Sequence, residues 1–161
     1  MENAQSRVPK RCMPGATACL NAVLLSQGPG SGSGIGLTSL FRTPGAAFAA
    51  HRRTLALLPT VGGSQPPPPA VAQLLGRRKE HYSARVTARK ALKAGRASAT
   101  FCVEHIAITG GPDASRYDAE FLYIIDGRTT MSVIVAPRSL SPEPQQLLER
   151  IAARIQASTR T

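Results

Sequence analysis

Hydrophobic and polar residues alternate with a period of two along the middle of this chain. Between residues 81 and 89, apolar or small side chains take every second position, and polar or basic ones take the others. The same alternation runs over residues 97–103 and then shifts by one position near His105, which indicates a bulge or a bend. Because successive side chains of a strand point to opposite faces of a sheet, both segments are predicted to be half-buried β-strands joined by a turn at 93–96.

Two further strands and a helix are predicted towards the C-terminus. Residues 117–125 are strongly apolar, and Asp126-Gly127 is a hairpin dipeptide leading into a strand at 131–135. Ser141-Pro142 suits the start of a helix, and apolar residues then recur at helical spacing: Leu147, Leu148, Ile151, Ala152 and Ile155. With a short helix over 70–79, the predicted fold class is α+β: a four-stranded antiparallel meander with a short N-terminal helix and a C-terminal helix, preceded by a long irregular leader.

The first part of the chain has the composition of an extension. No Asp or Glu occurs between Asn3 and Lys79, and residues 27–36 are rich in Gly, as flexible linkers are. The glycine spacing fits neither common nucleotide-binding pattern. Four prolines at 66–69 then exclude a helix or a central strand. The chain is therefore predicted to divide into a basic, Gly/Pro-rich leader or targeting segment at 1–69 and a small α+β domain at 70–161, which should fold alone.

The positive charge is concentrated in the first part of the chain. Residues 1–97 hold 14 Lys and Arg and 2 acids, whereas residues 98–161 hold 6 Arg and 7 acids. A basic extension can meet nucleic acid, an anionic membrane, an acidic protein or an import receptor. Residues 37–61 have the Arg-rich, acid-free character of a mitochondrial or plastid leader, although Pro44 interrupts their helical pattern. A disordered basic tail is the alternative.

Eight basic residues within twenty positions form the candidate contact site for an anionic partner. They are Arg77, Arg78, Lys79, Arg85, Arg89, Lys90, Lys93 and Arg96. This run could contact RNA phosphates, meet an acidic protein surface, or form a solvated face. Tyr82 is the only aromatic residue within it, so base stacking has little support.

Cysteine usage and hydropathy limit the class of protein further. The three cysteines, Cys12, Cys19 and Cys102, are odd in number and lack a Cys-x-x-Cys pair. This argues against a disulfide scaffold and favours a reducing compartment. No apolar stretch reaches 18 residues, so no transmembrane helix is predicted.

Catalytic chemistry has one weak candidate. Cys102, Glu104 and His105 are residue types that enzymes use, but on a strand residues 102 and 105 face opposite sides. His51 and His81 have no thiol or carboxylate at metal-ligand spacing. The sequence therefore predicts no catalytic, cofactor-binding or metal-binding residue, and a protein that is not an enzyme.

The order of elements in the second half resembles a known domain. The matching segments are Leu74-Leu75-Gly76, residues 95–103 and residues 118–127. Over 71–136 the chain is similar to the small α+β domain shared by the mitochondrial presequence-translocase accessory subunit and a cytochrome oxidase assembly factor. It departs from that family in having Glu104-His105 at a glycine-bearing turn, no membrane anchor and an extra C-terminal helix. A PsbP-like module is a comparable match. Either resemblance implies a non-catalytic accessory or assembly role and transfers no functional residue.

These observations together predict a non-catalytic accessory subunit or assembly factor of a mitochondrial multiprotein complex. Its partners would be the protein subunits of that complex, with RNA or a peripheral membrane surface as alternatives. An RNA-associated protein, such as an organellar ribosomal subunit, is the alternative function. A plastid or the cytoplasm is the alternative location.

Overall fold

The computed structural model describes residues 12–25, 33–65, 81–111, 114–136 and 143–158. These form seven strands and two helices: β1 (Ala16–Leu25), β2 (Ser33–Phe41), α1 (Pro44–Leu57), β3 (Ser64–Gln65), β4 (His81–Ala94), β5 (Ala97–Thr109), β6 (Ser115–Asp126), β7 (Thr129–Ala136) and α2 (Pro144–Ser158). One antiparallel sheet contains all seven strands in the order β1-β2-β7-β6-β5-β4-β3. Six strands are long, and β3 is a two-residue strand beside β4.

The predicted four-stranded meander is wrong. The four expected strands are present as β4 to β7, and each pairs with the next. However, β2 pairs with β7 from Ser33 to Leu40, and β1 then pairs with β2. The sheet therefore continues past β7, because this strand has a second ladder of backbone groups that β2 satisfies. The helix predicted over residues 70–79 lies outside the described residues.

The expected long irregular leader is also wrong, because residues 16–25, 33–41 and 44–57 form two strands and a helix of the same fold. Residues 37–61, which have the composition of a targeting leader, include the second half of β2 and all of α1. Pro44 begins this helix instead of interrupting it, and Thr43 caps it by accepting a hydrogen bond from the Ala46 N–H (3.1 Å). Proline suits the first turn because its missing N–H has no helical partner there. Whether this segment also directs import stays a prediction.

The bulge predicted near His105 lies instead on the neighbouring strand, and β5 itself pairs with β6 without a shift. The apolar positions of β5 change parity because Phe101 and Val103 are buried on one face and Ile106 on the other.

The register between β4 and β5 shifts between Val86, which pairs with Glu104, and Ala88, which pairs with Val103. The extra residue is therefore Thr87 on β4. Because of this extra residue, Ala84 before the bulge and Leu92 after it lie on opposite faces of the sheet, although both occupy even positions.

The two helices cover opposite faces of the sheet, which are called the α1 face and the α2 face below. Phe41 packs against Ala47 and Ala50 on the α1 face. Phe101 and Val103 belong to the larger cluster on the α2 face, to which α2 contributes Leu148 and Ala152. Within the described ranges, neither helix is long and apolar enough to span a membrane.

A disulfide joins Cys12 to Cys19 at the start of β1, with 5.4 Å between their Cα atoms. Cys102 is buried as a free thiol. An odd number of cysteines therefore did not exclude a disulfide, because the unpaired residue lies in the core. This pairing removes the cysteine-based argument for a reducing compartment.

Candidate functional site on strand β4

The structure places five of the eight predicted basic residues on or next to β4. Arg85, Arg89, Lys90 and Lys93 are exposed along this strand, and Arg96 lies in the turn that follows it. The remaining three, Arg77, Arg78 and Lys79, lie outside the described residues. The basic run is thus partly brought together by one strand near an edge of the sheet.

The register of β4 on β5 divides these side chains between the two faces. Lys93 pairs with Ser98, which in turn pairs with Ile125 beneath α1, so Lys93 and Arg89 lie on the α1 face. Lys90 pairs with Phe101 of the α2 cluster and lies on the other face. The positive side chains of β4 therefore lie on both faces of the sheet. Because β4 is near an edge of the sheet, they form a basic edge and not a basic face.

Arg96 differs from the other four because it forms an ion pair, whereas Arg85 Nε donates only to the Gly62 carbonyl oxygen (3.3 Å). Arg96 Nε donates to Asp126 Oδ1 (2.5 Å), and the Asp126 side chain is fully buried whereas that of Arg96 is 56% exposed. Asp126 Oδ2 has no hydrogen-bond partner in the described structure. A buried carboxylate requires a nearby cation, so part of the positive charge of Arg96 is used inside the protein.

The outer edge of β4 is paired over only part of its length. Val86 exchanges two backbone hydrogen bonds with Gly62 and Gly63, at 2.8 and 3.1 Å. Beyond this point, no described strand pairs with the edge. The five residues from Thr87 to Ala91 are all exposed. Further along, the side chain of Gln145 donates to the Lys93 carbonyl oxygen (3.0 Å).

A cleft of about 670 Å3 lies beside this edge, between α1 and the α1 face of the sheet. The helix lines it with Phe48, Arg52 and Leu55, and β4 lines it with Ala91 and Lys93. The Phe48 side chain is 54% exposed, and the Arg52 guanidinium lies 5.9 Å from the centre of the Phe48 ring. The cleft therefore combines an apolar wall with two positive charges that the described residues do not neutralise.

His51 also lines this cleft and is nearly buried. Burial lowers the pKa of its imidazole, since desolvation penalises the charged form. At neutral pH the ring is therefore neutral, and it adds a polar group to the cleft without adding charge.

No protein-family model, curated protein or solved structure matches this chain. The resemblance drawn over residues 71–136 stays a prediction.

The possible catalytic group is not assembled in the described structure. Cys102 and Glu104 are buried on the α1 face, whereas His105 is exposed and lies 2.9 Å from an oxygen of Asp118. Burial raises the pKa of Glu104 and also that of Cys102, which the positive charge of Arg89 partly offsets. In the described ranges, no three His, Cys, Asp or Glu side chains are placed to hold a metal ion.

Sequence reasoning missed α1 as a contributor to the site. Arg52 and Phe48 appeared to belong to a leader, but the fold brings them beside Lys93 of β4. The start signal Thr43-Pro44 could have identified this helix, because a capping residue followed by proline is a helix N-terminus pattern.

Proposed function

We propose that this chain is a non-catalytic accessory subunit or assembly factor of a mitochondrial multiprotein complex, and that it docks on an acidic protein partner through β4. One observation carries the docking surface: five consecutive residues, Thr87 to Ala91, are exposed within a 14-residue strand. A strand that has packed neighbours normally buries alternate residues. The exposed length of β4 is therefore available to a partner.

Charge indicates the kind of partner. Arg89, Lys90 and Lys93 project from the exposed part of β4 without an ion pair in the described structure, while residues 98–161 are close to neutral. Complementary charge raises association rates and selects among partners. An acidic protein surface would supply that complement, and the arrangement needs no catalytic group.

RNA is the alternative partner, and Phe48 gives it one supporting observation. Its exposed ring lies beside Arg52, which is an arrangement that can stack on a base. Along β4 itself, however, Tyr82 is half-buried against Ala84 and Ile106 and lies outside the exposed stretch from Thr87 to Ala91. Protein docking is therefore the better-supported function.

The test removes the charge from β4 in the full-length chain. Arg85, Arg89, Lys90 and Lys93 are replaced by Gln, and the C-terminally tagged chain is purified from a mitochondrial fraction before and after nuclease treatment. A matched variant replaces four exposed arginines away from β4: Arg42, Arg53, Arg116 and Arg128. Both variants lose the same charge, so a general effect of net charge would appear in both.

The unaltered chain and the matched variant should be recovered from mitochondria in a complex that survives nuclease. The β4 variant should be recovered without its partners, with at least tenfold less of them, since several charge pairs are lost together. Partners retained equally by both variants would refute docking through β4. A complex that nuclease alone disperses would support the RNA-associated alternative, and a chain absent from the mitochondrial fraction would refute the location.

A further inference from the structure

The exposed length of β4 offers backbone groups as well as charge. The Lys93 carbonyl accepts its hydrogen bond from the Gln145 side chain, so it points away from β5. Since outward and inward groups alternate along a strand, the backbone groups of Ala91 and Arg89 point outward as well. The backbone N–H and C=O of Val86 also point outward, and they form hydrogen bonds with Gly63 and Gly62. Three successive outward positions therefore follow the end of the covered edge, and at Lys93 the carbonyl oxygen already accepts from Gln145 while the N–H remains for a partner.

The length of this edge suits a short peptide. From Arg89 to Lys93 the strand extends roughly 13 Å at about 3.3 Å per residue. An added strand of about five residues would span it. A peptide in that position would alternate its side chains between the α1 face and the α2 face, as β4 does.

The surroundings of the edge define which side chains such a peptide would carry. Arg89 and Lys93 lie on the α1 face and Lys90 on the α2 face, so carboxylates would find a cation on either side. The cleft on the α1 face adds Phe48 and Leu55 as an apolar wall next to Ala91. The geometry favours an acidic segment that carries at least one apolar residue.

We propose that the free edge of β4 takes up an extended acidic segment of the partner protein as an additional strand of the sheet, with one apolar side chain of that segment in the cleft beside α1. This inference rests on the proposed docking function and names its binding mode. Backbone hydrogen bonds would supply affinity, and the flanking charges and the cleft would supply selectivity.

A second copy of this chain is a poorer occupant of the same edge. Pairing β4 with itself would place the positive charges of Arg89, Lys90 and Lys93 opposite or near their own copies. Like charges directly across a ladder are destabilising. Basic residues on an edge also protect it from unwanted pairing. An acidic strand would be attracted by these charges and could still pair with the edge.

The experiment measures binding of a fluorescent seven-residue peptide that alternates Glu with Val, using the full-length chain. A peptide alternating Gln with Val tests the charge, and the Glu/Val peptide with every backbone nitrogen methylated tests the hydrogen bonds. In the protein, Ala91→Pro removes one outward N–H and leaves the inward bonds to β5 in place, because proline has no N–H to donate. Ala91→Ser serves as its control.

The Glu/Val peptide should bind, and methylation, the Gln/Val exchange and Ala91→Pro should each weaken it by about tenfold or more. Equal binding of the methylated and unmethylated peptides would overturn strand addition, and that comparison needs no protein variant if Ala91→Pro fails to fold. No binding of the Glu/Val peptide, or dimerisation of the chain through β4, would also overturn it.

The same variants separate this inference from the proposed function. If the four-glutamine β4 variant is released from its complex while Ala91→Pro is retained, docking through the charges stands and strand addition is refuted. If the β4 variant is itself retained, the proposed function fails.

Discussion

Glu104 is the residue at which burial and charge conflict most clearly. Its side chain lies on the α1 face with 3% of the residue exposed, and burial raises the pKa of its carboxyl above the usual value. Burial is the main cause of the raised pKa of Tyr82, Cys102 and Tyr123, and the negative charge of Glu104 raises each of these pKa values further. The folded protein therefore holds the proton of this carboxyl more tightly than the unfolded chain does.

This difference predicts how stability depends on pH. Since the folded state binds the proton more tightly, the stabilising contribution is complete at pH values below the ordinary pKa of Glu. It is lost as the pH rises from there through the raised pKa of Glu104. Glu104→Gln removes the charge, so it should raise the free energy of unfolding at pH 7.5 by about 1 kcal/mol and change it little at pH 4.

Urea unfolding of both proteins at pH 4, 5.5 and 7.5 measures this difference. The exposed Glu143 gives a control, since Glu143→Gln should leave the curve unchanged at each pH. An unfolding midpoint for Glu104→Gln below that of the parent protein at pH 7.5 would show that the Glu104 carboxylate is stabilising and that burial does not dominate.

At the scale of elements, the sequence predicted the part of the fold in which local pattern and tertiary structure agree. Strands β4 and β5 alternate over many residues, and the turn between them uses Gly95 at a φ of 59°, where glycine is favoured. The helix α2 presents a regular apolar stripe, of which Leu148 and Ala152 are buried. Each of these signals is local, so a single sequence displays it.

The elements that were missed have no such local pattern. Gly34 and Gly36 lie within β2, although glycine is unfavourable in strands, and pairing with both β1 and β7 compensates for that preference. In α1 the buried residues are Ala47, Ala50 and His51, which do not form a strong apolar stripe. Tertiary contacts determine the conformation of β2 and α1, so the composition of these segments suggested a leader instead. For the same reason Arg52 could not be assigned to the site.

The sheet order predicts that residues 70–161 do not form a stable domain without the first part of the chain. That fragment lacks β2, which pairs with β7 from Leu40 to Ser33, and it lacks both Phe41 and α1, so Ile125 loses the cluster against which it packs. Loss of the buried contacts of one large aliphatic side chain costs about 2–5 kcal/mol, so the fragment should be at least about 2 kcal/mol less stable than the full chain.

Thermal and urea unfolding of fragment 70–161 and of a chain beginning at Cys12 test this prediction. The chain from Cys12 keeps every described strand and should unfold like the full-length protein. Equal stability of fragment 70–161 and the full chain would contradict this prediction and would support the division of the chain at residue 69.

At the scale of the whole molecule, the fold brings charge to one edge of the sheet, and no described strand pairs with that edge beyond Val86. The sheet ends at β1 on one side and at β3 and β4 on the other. Only the second side combines outward backbone groups with Arg89 and Lys93 and with the cleft beside α1, among the residues that the structure describes. The arrangement suits a protein that joins an assembly by adding a partner segment to its own sheet.

Hydrogen exchange along β4 tests this central claim most directly, in the full-length chain alone and in its purified complex. In the free chain the outward amides of Arg89, Ala91 and Lys93 should exchange fast, and the inward amides of Lys90, Leu92 and Ala94 should be protected by β5. In the complex, Arg89 and Ala91 should become protected by at least tenfold. Outward amides that exchange equally fast in the complex and in the free chain would contradict docking at the edge of β4.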